Sequence, residues 1–184
     1  MHYEKKEILL KDGRTALFRA PSPAADAAEM VEYMRITAGE TPYLLRTPEE
    51  CVLTEEQEES LLRGILNSPH NTMIVCEVEG KIAGNCQIAF KTKAKNKHRA
   101  IVAIALLKEY WNLGIGTAMF REMIRLAKER GGIEQVELEV IEGNENAMRL
   151  YEKLGFTVTG AVPNAIHLKD GTRLKEFYMV KELQ

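Results

Sequence analysis

Two glycines separated by a single residue, Gly114 and Gly116, lie between a strongly apolar run and an amphipathic segment. The apolar run, residues 100–107, is typical of a buried strand, and residues 116–130 carry apolar side chains at helical spacing. A glycine turn at a helix start lets backbone N–H groups approach an anion, which the positive end of the helix dipole also favours. The junction therefore predicts an anion site formed by backbone N–H groups from residues 113–117.

Two familiar phosphate-binding motifs do not fit these glycines. A dinucleotide-binding GxGxxG sequence would need a third small residue where Met119 stands, and it would need an acidic residue at the end of the next strand. A P-loop would need Gly-Lys-Ser or Gly-Lys-Thr after the glycines, and neither follows. What remains is a backbone cradle suited to a pyrophosphate.

A second segment, residues 144–156, combines a helix cap with an aromatic side chain. Asn144 is a favoured first cap, and Gly155 is a favoured residue just past a helix end. A short helix is therefore predicted between them, carrying Tyr151 near its end, with another strand starting at Phe156.

The elements that must position these segments follow from hydrophobic period and turn signals along the chain. Strands are predicted over residues 7–10, 15–19, 72–78, 82–90, 100–107, 136–141, 156–162 and 175–180, and the other helices over residues 24–37, 54–67 and 116–130. The early strands follow one another directly, and the later ones alternate with helices. This order predicts a mixed α/β fold with a single central, mostly antiparallel sheet and helices on both faces. The length predicts one domain over residues 1–184.

Composition excludes several other classes of function. The net charge is −2, so we expect no nucleic-acid partner, and we interpret the basic stretch at residues 91–99 as a solvated loop or as electrostatic help for a polyanion. Three cysteines without paired spacing indicate neither a disulfide framework nor a metal site. No apolar run approaches the roughly 20 residues of a membrane span, and no signal peptide is evident. We therefore expect a cytoplasmic protein.

At these two segments the chain resembles a known superfamily. Residues 106–117, Leu-Leu-Lys-Glu-Tyr-Trp-Asn-Leu-Gly-Ile-Gly-Thr, look like the acetyl-CoA pyrophosphate motif of the GNAT acyltransferases. Residues 144–156, Asn-x-x-Ala-x-x-Leu-Tyr-x-Lys-x-Gly-Phe, resemble the family's second motif in every signature position. With the order of elements, the resemblance covers residues 1–182. It departs at Trp111, where the family commonly has Gln or Arg, although a backbone cradle needs no particular side chain at that position.

The resemblance implies an N-acetyltransferase that uses acetyl-CoA and no metal. Tyr151 would be the general acid that protonates the CoA thiolate, and a phenol with a pKa near 10 suits that task. A backbone N–H of Leu106 or Leu107 would polarise the thioester carbonyl. The residues implied to bind the cofactor are Leu106, Leu107, Asn112, Leu113, Gly114, Ile115, Gly116, Thr117, Asn144, Ala147, Tyr151 and Lys153.

The acceptor side is less determined by the resemblance. Many members place a basic Glu on the central strand, but residues 100–107 contain no acid or His, which leaves Glu139, Glu77 and His98, a water relay, or a neutral amine. The acceptor is expected to be a primary amine of a small molecule, an amino acid or a peptide or protein N-terminus. Loops bearing Thr41, Tyr43 and His167 would bind it. A homodimer through the late strands fits the family, and the alternative function is a non-catalytic acyl-CoA-binding or sensing module.

Overall fold

A single eight-stranded sheet forms the centre of the computed structural model, which describes residues 3–183. The spatial order is β1-β2-β3-β4-β5-β6-β8-β7. The strands are β1 Lys6–Leu9, β2 Thr15–Arg19, β3 Asn71–Val78, β4 Lys81–Phe90, β5 Arg99–Leu106, β6 Gln135–Ile141, β7 Thr157–His167 and β8 Arg173–Glu182. All neighbours pair antiparallel except β5 and β6. The predicted mostly antiparallel sheet is confirmed.

Four α-helices cover the sheet: α1 Pro23–Glu40, α2 Glu55–Asn67, α3 Ile115–Arg130 and α4 Glu145–Lys153. Helix α2, predicted over residues 54–67, begins with a capping box, because the Thr54 side chain accepts from the Gln57 N–H while the Gln57 side chain accepts from the Thr54 N–H. Helix α1 runs three residues past the predicted end at Thr37. Its last turn is held from outside, because the Glu40 carboxylate accepts a 2.7 Å hydrogen bond from the Lys108 N–H. No helix within residues 3–183 is both long and apolar enough to cross a membrane.

The helices divide between the two faces, as predicted. On one face α3 and α4 pack against the even-numbered side chains of β5 and β6, such as Ala100 and Val136. On the other face α1 and α2 form a second apolar cluster with β3 and β4, and Ala105 of β5 packs against it. The odd-numbered and even-numbered residues of β5 therefore face different helix layers.

Strands β5 and β6 separate soon after they meet. Their parallel pairing spans three register pairs and ends at Ile101 and Glu137, although β5 continues to Leu106 and β6 to Ile141. The carboxyl halves of these two strands therefore leave a gap between them in the middle of the sheet, which we call the β5–β6 gap.

The edge strand β7 is longer than predicted. Residues 156–162 were expected to form it and Pro163 to end it, but the strand continues through Pro163 to His167. Proline is tolerated because β7 is an edge strand and because its pairing with β8 is irregular between Val162 and Ile166. Asn164, with φ of 54°, lies in that irregular stretch.

Candidate active site

The edge of β5 that lines the β5–β6 gap presents alternate backbone groups. In the antiparallel β4–β5 ladder the Leu107 N–H donates to the Ala83 carbonyl at 3.0 Å, and the Lys91 N–H donates to the Arg99 carbonyl. Odd-numbered residues of β5 therefore direct their N–H and C=O groups towards β4. The backbone groups of Ile104 and Leu106 point the other way, into the β5–β6 gap.

This alternation distinguishes Leu106 from Leu107, to which the resemblance gave the same role. Both backbone groups of Leu107 are used within the fold, since its carbonyl accepts from the Tyr110 N–H at 3.0 Å. The Leu106 N–H faces the gap, and so does the Ile104 N–H, which sequence reasoning missed. The missing signal was the pairing register with β4.

Helix α3 starts at Ile115, within residues 113–117, where the sequence predicts an anion site. Gly114 precedes the helix with φ of +96°, a conformation that L side chains rarely adopt. No side chain caps the helix and its first turn contains no acidic residue. The first intrahelical hydrogen bond runs from the Ala118 N–H to the Gly114 carbonyl. The N–H groups of Ile115, Gly116 and Thr117 thus have no acceptor within the helix.

Gly116 brings three elements together at this helix start. A β-carbon added there would lie 3.1 Å from a δ-carbon of Leu150 on α4 and 3.8 Å from one of Leu106 on β5. The close approach places the unpaired N–H groups of α3 beside the end of β5. Leu113 and the exposed Asn112, which has φ of 63°, complete the turn before the helix.

Several hydrogen bonds fix the turn between β5 and α3. The Trp111 indole N–H donates to the Leu106 carbonyl at 2.8 Å. The Leu113 carbonyl accepts from the Lys11 N–H at 3.2 Å, which ties the turn to the loop after β1. Together with the Glu40–Lys108 hydrogen bond, these contacts tie the turn to β5, to α1 and to the loop after β1.

Tyr151 lies beneath β5 on the face covered by α3 and α4. Its ring is 5.0 Å from that of Phe120 and 6.1 Å from that of Phe156, measured between centroids. Burial raises the pKa of the phenol above its ordinary value, and the nearby Cys86 thiol acts in the same direction. Cys86 pairs with Ile104, so the phenol lies under the carboxyl half of β5. The phenol therefore stays protonated at neutral pH.

The start of α4 lies at the other side of the β5–β6 gap, next to the end of β6. Asn144 caps the helix, its Oδ1 accepting from the Ala147 N–H at 3.3 Å. A cavity of about 200 Å³ is lined here by Ile141, Gly143, Asn144, Glu145, Met148 and Arg149. Lys153, at the far end of α4, is exposed.

The opposite face of the sheet carries Glu139 beside the β5–β6 gap. Glu139 lies two residues beyond the last β5–β6 pair, is exposed, and pairs with Tyr178 across β6 and β8. Glu176 is a diagonal neighbour of Glu139 on the same face. Burial raises the pKa of the Glu176 carboxyl, and the negative charge of Glu139 raises it further. The two carboxylates also raise the pKa of the Tyr178 phenol. Within residues 3–183 no cationic side chain pairs with Glu139 or Glu176.

The other two base candidates lie away from the gap. Glu77 accepts from Arg19 at 2.9 Å, and the same guanidinium binds Asp26 at 2.7 Å, so Glu77 belongs to an ion-pair network that joins β2, β3 and α1. His98 precedes β5, at the end of the strand opposite Leu106.

Of the loops predicted to bind an acceptor, the one bearing Thr41 and Tyr43 contacts the residue just before the N-cap of α4. The Tyr43 hydroxyl donates to the Gly143 carbonyl at 2.8 Å, and the Thr41 hydroxyl oxygen accepts from the Tyr43 N–H at 3.2 Å. His167 ends β7 and is exposed. Just beyond it, Lys169 lies 3.4 Å from the Glu49 carboxylate, which links the β7–β8 turn to the α1–α2 loop.

Tyr33 is a second residue that sequence reasoning missed. It falls within the helix predicted over residues 24–37 and was assigned no role, but its buried hydroxyl accepts from the Asn85 N–H at 3.2 Å and donates to the Ala105 carbonyl at 2.7 Å. The side chain of α1 thereby bridges β4 and β5 beside the residues that face the gap. No cluster of three or more metal-ligating side chains occurs in the described part of the chain.

Known proteins resemble this chain in sequence and in fold. The profile of the Acetyltransferase (GNAT) family matches residues 36–156. An L-amino acid N-acetyltransferase of Escherichia coli (strain K12) is 25% identical over 117 residues, covering 64% of this chain and 72% of that protein. An N-alpha-acetyltransferase of Sulfurisphaera tokodaii is 37% identical over 90 residues, covering 45% of this chain and 54% of that protein. A GNAT-family acetyltransferase structure from Streptococcus pneumoniae superposes with a TM-score of 0.85 at 28% identity, covering 91% of this chain and 99% of that one.

Proposed function

The chain belongs to the acetyltransferase (GNAT) family, and from that membership we propose that it moves an acetyl group from acetyl-CoA directly to a primary amine. One observation carries the proposal. A protonated phenol, Tyr151, and an unpaired carboxylate, Glu139, lie on opposite faces of the sheet with the β5–β6 gap between them. An acid and a base on either side of a thioester are what acyl transfer to an amine requires.

The residues around the gap fit acetyl-CoA. The pyrophosphate would bind the N–H groups at residues 113–117, where the helix start has neither a capping side chain nor an acidic neighbour. The pantetheine arm would lie along the free edge of β5, against the backbone of Ile104 and Leu106. Asn144, Ala147 and Lys153 of α4 would border the arm from the β6 side. When bound, the cofactor supplies an activated acetyl thioester.

The side chains and backbone of the gap would then divide the chemistry. The Leu106 or Ile104 N–H would stabilise the oxyanion that develops on the thioester carbonyl. Glu139 would remove a proton from the incoming ammonium, directly or through water. Tyr151 would donate its proton to the departing thiolate. Burial raises the pKa of the phenol, which keeps it protonated until that transfer and also makes it a weaker acid than a free tyrosine.

The acceptor we propose is the primary amine of an amino acid, another small molecule, or a peptide or protein N-terminus. One of the named relatives is an L-amino acid N-acetyltransferase and another is an N-alpha-acetyltransferase. The unpaired carboxylates of Glu139 and Glu176 favour a positively charged ammonium group near Tyr178. Thr41, Tyr43 and His167 would complete the acceptor pocket.

Thiol release from acetyl-CoA, measured over a panel of free amino acids, amines and short peptides, tests the proposal. We expect CoA release above hydrolysis with at least one acceptor class, together with the mass of the N-acetylated product. CoA binding with no release over the whole panel would instead support the non-catalytic acyl-CoA-binding module.

A further inference from the structure

Trp111 joins two parts of the proposed acetyl-CoA site that are otherwise separate. It belongs to the turn that leads into α3, yet its indole N–H reaches back five residues to the Leu106 carbonyl at the end of β5, 2.8 Å away. The side chain and this hydrogen bond are partly buried.

The carbonyl that Trp111 binds is one of those facing the β5–β6 gap. Because the β4–β5 ladder uses odd-numbered residues, the Leu106 carbonyl has no partner in β4, and its own residue supplies an N–H to the gap. Without the indole, this carbonyl would point into the gap unpaired. With the indole, the peptide between Leu106 and Leu107 is held on both sides, since its N–H donates to the Ala83 carbonyl and its carbonyl accepts from Trp111.

The other hydrogen bonds of the turn do not reach a gap-facing carbonyl of β5. The Lys11–Leu113 hydrogen bond ties the turn to the loop after β1, and the Glu40–Lys108 hydrogen bond ties it to α1. Among the side chains of residues 3–183, it is Trp111 that connects the turn before Gly114 to a gap-facing carbonyl of β5.

We infer that Trp111 is a positioning residue for the acyl donor. Its indole N–H holds the gap-facing end of β5 at a set distance from the N–H groups at the start of α3. The thioester end and the pyrophosphate end of one acetyl-CoA molecule can then bind their two sites together without a rearrangement of the turn. This inference rests on the proposed function for the identity of the ligand, and it assigns Trp111 no contact with the reacting atoms.

The chain contains one tryptophan, so an analogue incorporated in place of tryptophan changes this residue alone. β-(3-Benzothienyl)alanine has nearly the shape of tryptophan but carries sulfur where the indole has N–H, and it therefore cannot donate. 5-Fluorotryptophan keeps the N–H and is the matched control. Binding of acetyl-CoA and of CoA to both proteins is measured by calorimetry, and KM is measured for acetyl-CoA and for the acceptor.

We expect the benzothienyl protein to bind acetyl-CoA about tenfold more weakly than the fluorotryptophan protein, because binding must then order the turn and the strand end that this hydrogen bond otherwise holds in place. The KM for acetyl-CoA should rise by a similar factor while the KM for the acceptor stays the same. A merely structural role would lower the thermal midpoint and leave the KM of the folded protein unchanged. The inference would be overturned if the two proteins bound acetyl-CoA with equal affinity, whether that affinity matched the unlabelled protein's or was lower by the same factor in both.

Two further variants keep the test open if the benzothienyl protein folds poorly. Trp111→Phe also removes the donor, and we expect the same rise in KM for acetyl-CoA. Tyr110→Phe changes the neighbouring buried ring and should leave this KM unaltered. Calorimetry separates the two hypotheses, because weaker acetyl-CoA binding in a protein that acetylates no amine supports the role of Trp111 and contradicts the proposed catalysis. If neither labelled protein binds acetyl-CoA, the donor assignment and this inference both fail.

Discussion

The Tyr33 hydroxyl lies 2.7 Å from the carbonyl oxygen of Ala105, so that a helix side chain supplies a hydrogen bond inside the β4–β5 ladder. Tyr33→Phe would leave the Ala105 carbonyl and the Asn85 N–H without this buried partner. We expect a loss of about 1–3 kcal/mol in the free energy of unfolding, measured by urea denaturation. Tyr110→Phe is the matched control, because Tyr110 is also buried but its hydroxyl makes no hydrogen bond within residues 3–183. Equal stability of the two variants would contradict a bridging role for Tyr33.

Tyr151→Phe should fold as the parent does, because the Tyr151 hydroxyl has no hydrogen-bond partner in the described part of the chain. We expect kcat to fall by about a hundredfold or more, the usual contribution of a general acid, with the KM for acetyl-CoA unchanged. Since burial raises the pKa of this phenol above its ordinary 10.0, its ionisation should cause no loss of parent activity below pH 10.0. Unchanged turnover in the variant would exclude the general-acid role.

Gly114→Ala should weaken acetyl-CoA binding as well as stability. The substitution forces an L residue to φ of +96° and so costs about 1–2 kcal/mol, and relaxation of that strain moves the first N–H groups of α3. Gly80→Ala is the matched control, because Gly80 has φ of +78° in the β3–β4 turn and, as at Gly114, no atom lies within 4 Å of an added β-carbon. Both variants should lose stability, and only Gly114→Ala should raise the KM for acetyl-CoA. A similar KM in both would contradict the cradle.

Glu58→Gln should stabilise the protein at neutral pH. Glu58 on α2 is 2% exposed, one of its carboxyl oxygens has no hydrogen-bond partner, and burial raises its pKa despite the opposing charge of Arg46. As the pH rises above the ordinary carboxyl pKa, the unfolded chain releases a proton that the folded protein retains, so stability falls.

Urea denaturation from acid to neutral pH measures this effect. The gain in stability of Glu58→Gln over the parent should increase with pH, whereas Glu55→Gln, an exposed change on the same helix, should show no such trend. A gain that does not depend on pH would show that the Glu58 carboxyl is not the titrating group.

Glu139→Gln should lower kcat and leave the KM for acetyl-CoA unchanged, because the side chain lies on the face opposite Tyr151. If Glu139 is the base, the fall should be about a hundredfold or more. Glu176→Gln removes a neighbouring carboxylate that we place in acceptor binding, and it should mainly raise the KM for the amine. Equal, small effects on kcat in both variants would favour removal of the proton by water alone.

The sequence predicted those parts of the site that depend only on residues close together along the chain. The turn at Gly114 and the Asn144 cap were found because a cap or a positive φ needs a particular residue at one position. The distinction between Leu106 and Leu107 could not be found, because it depends on the register of β5 with β4. The contacts of Tyr33 and Trp111 were equally hidden, since each depends on where a distant strand end lies. Pro163 was wrongly taken to end β7 because the sequence does not reveal which strand is at the sheet edge.

The same proline has a consequence for the behaviour of the protein at high concentration. An edge strand of eleven residues offers a template for pairing with another chain, and such pairing is how fibrils grow. Pro163 has no N–H to donate, and the irregular stretch around Asn164 turns the backbone away from a straight ladder. The open edge is thereby cut into two shorter pieces, which is one of the ways in which natural edge strands limit edge-to-edge pairing.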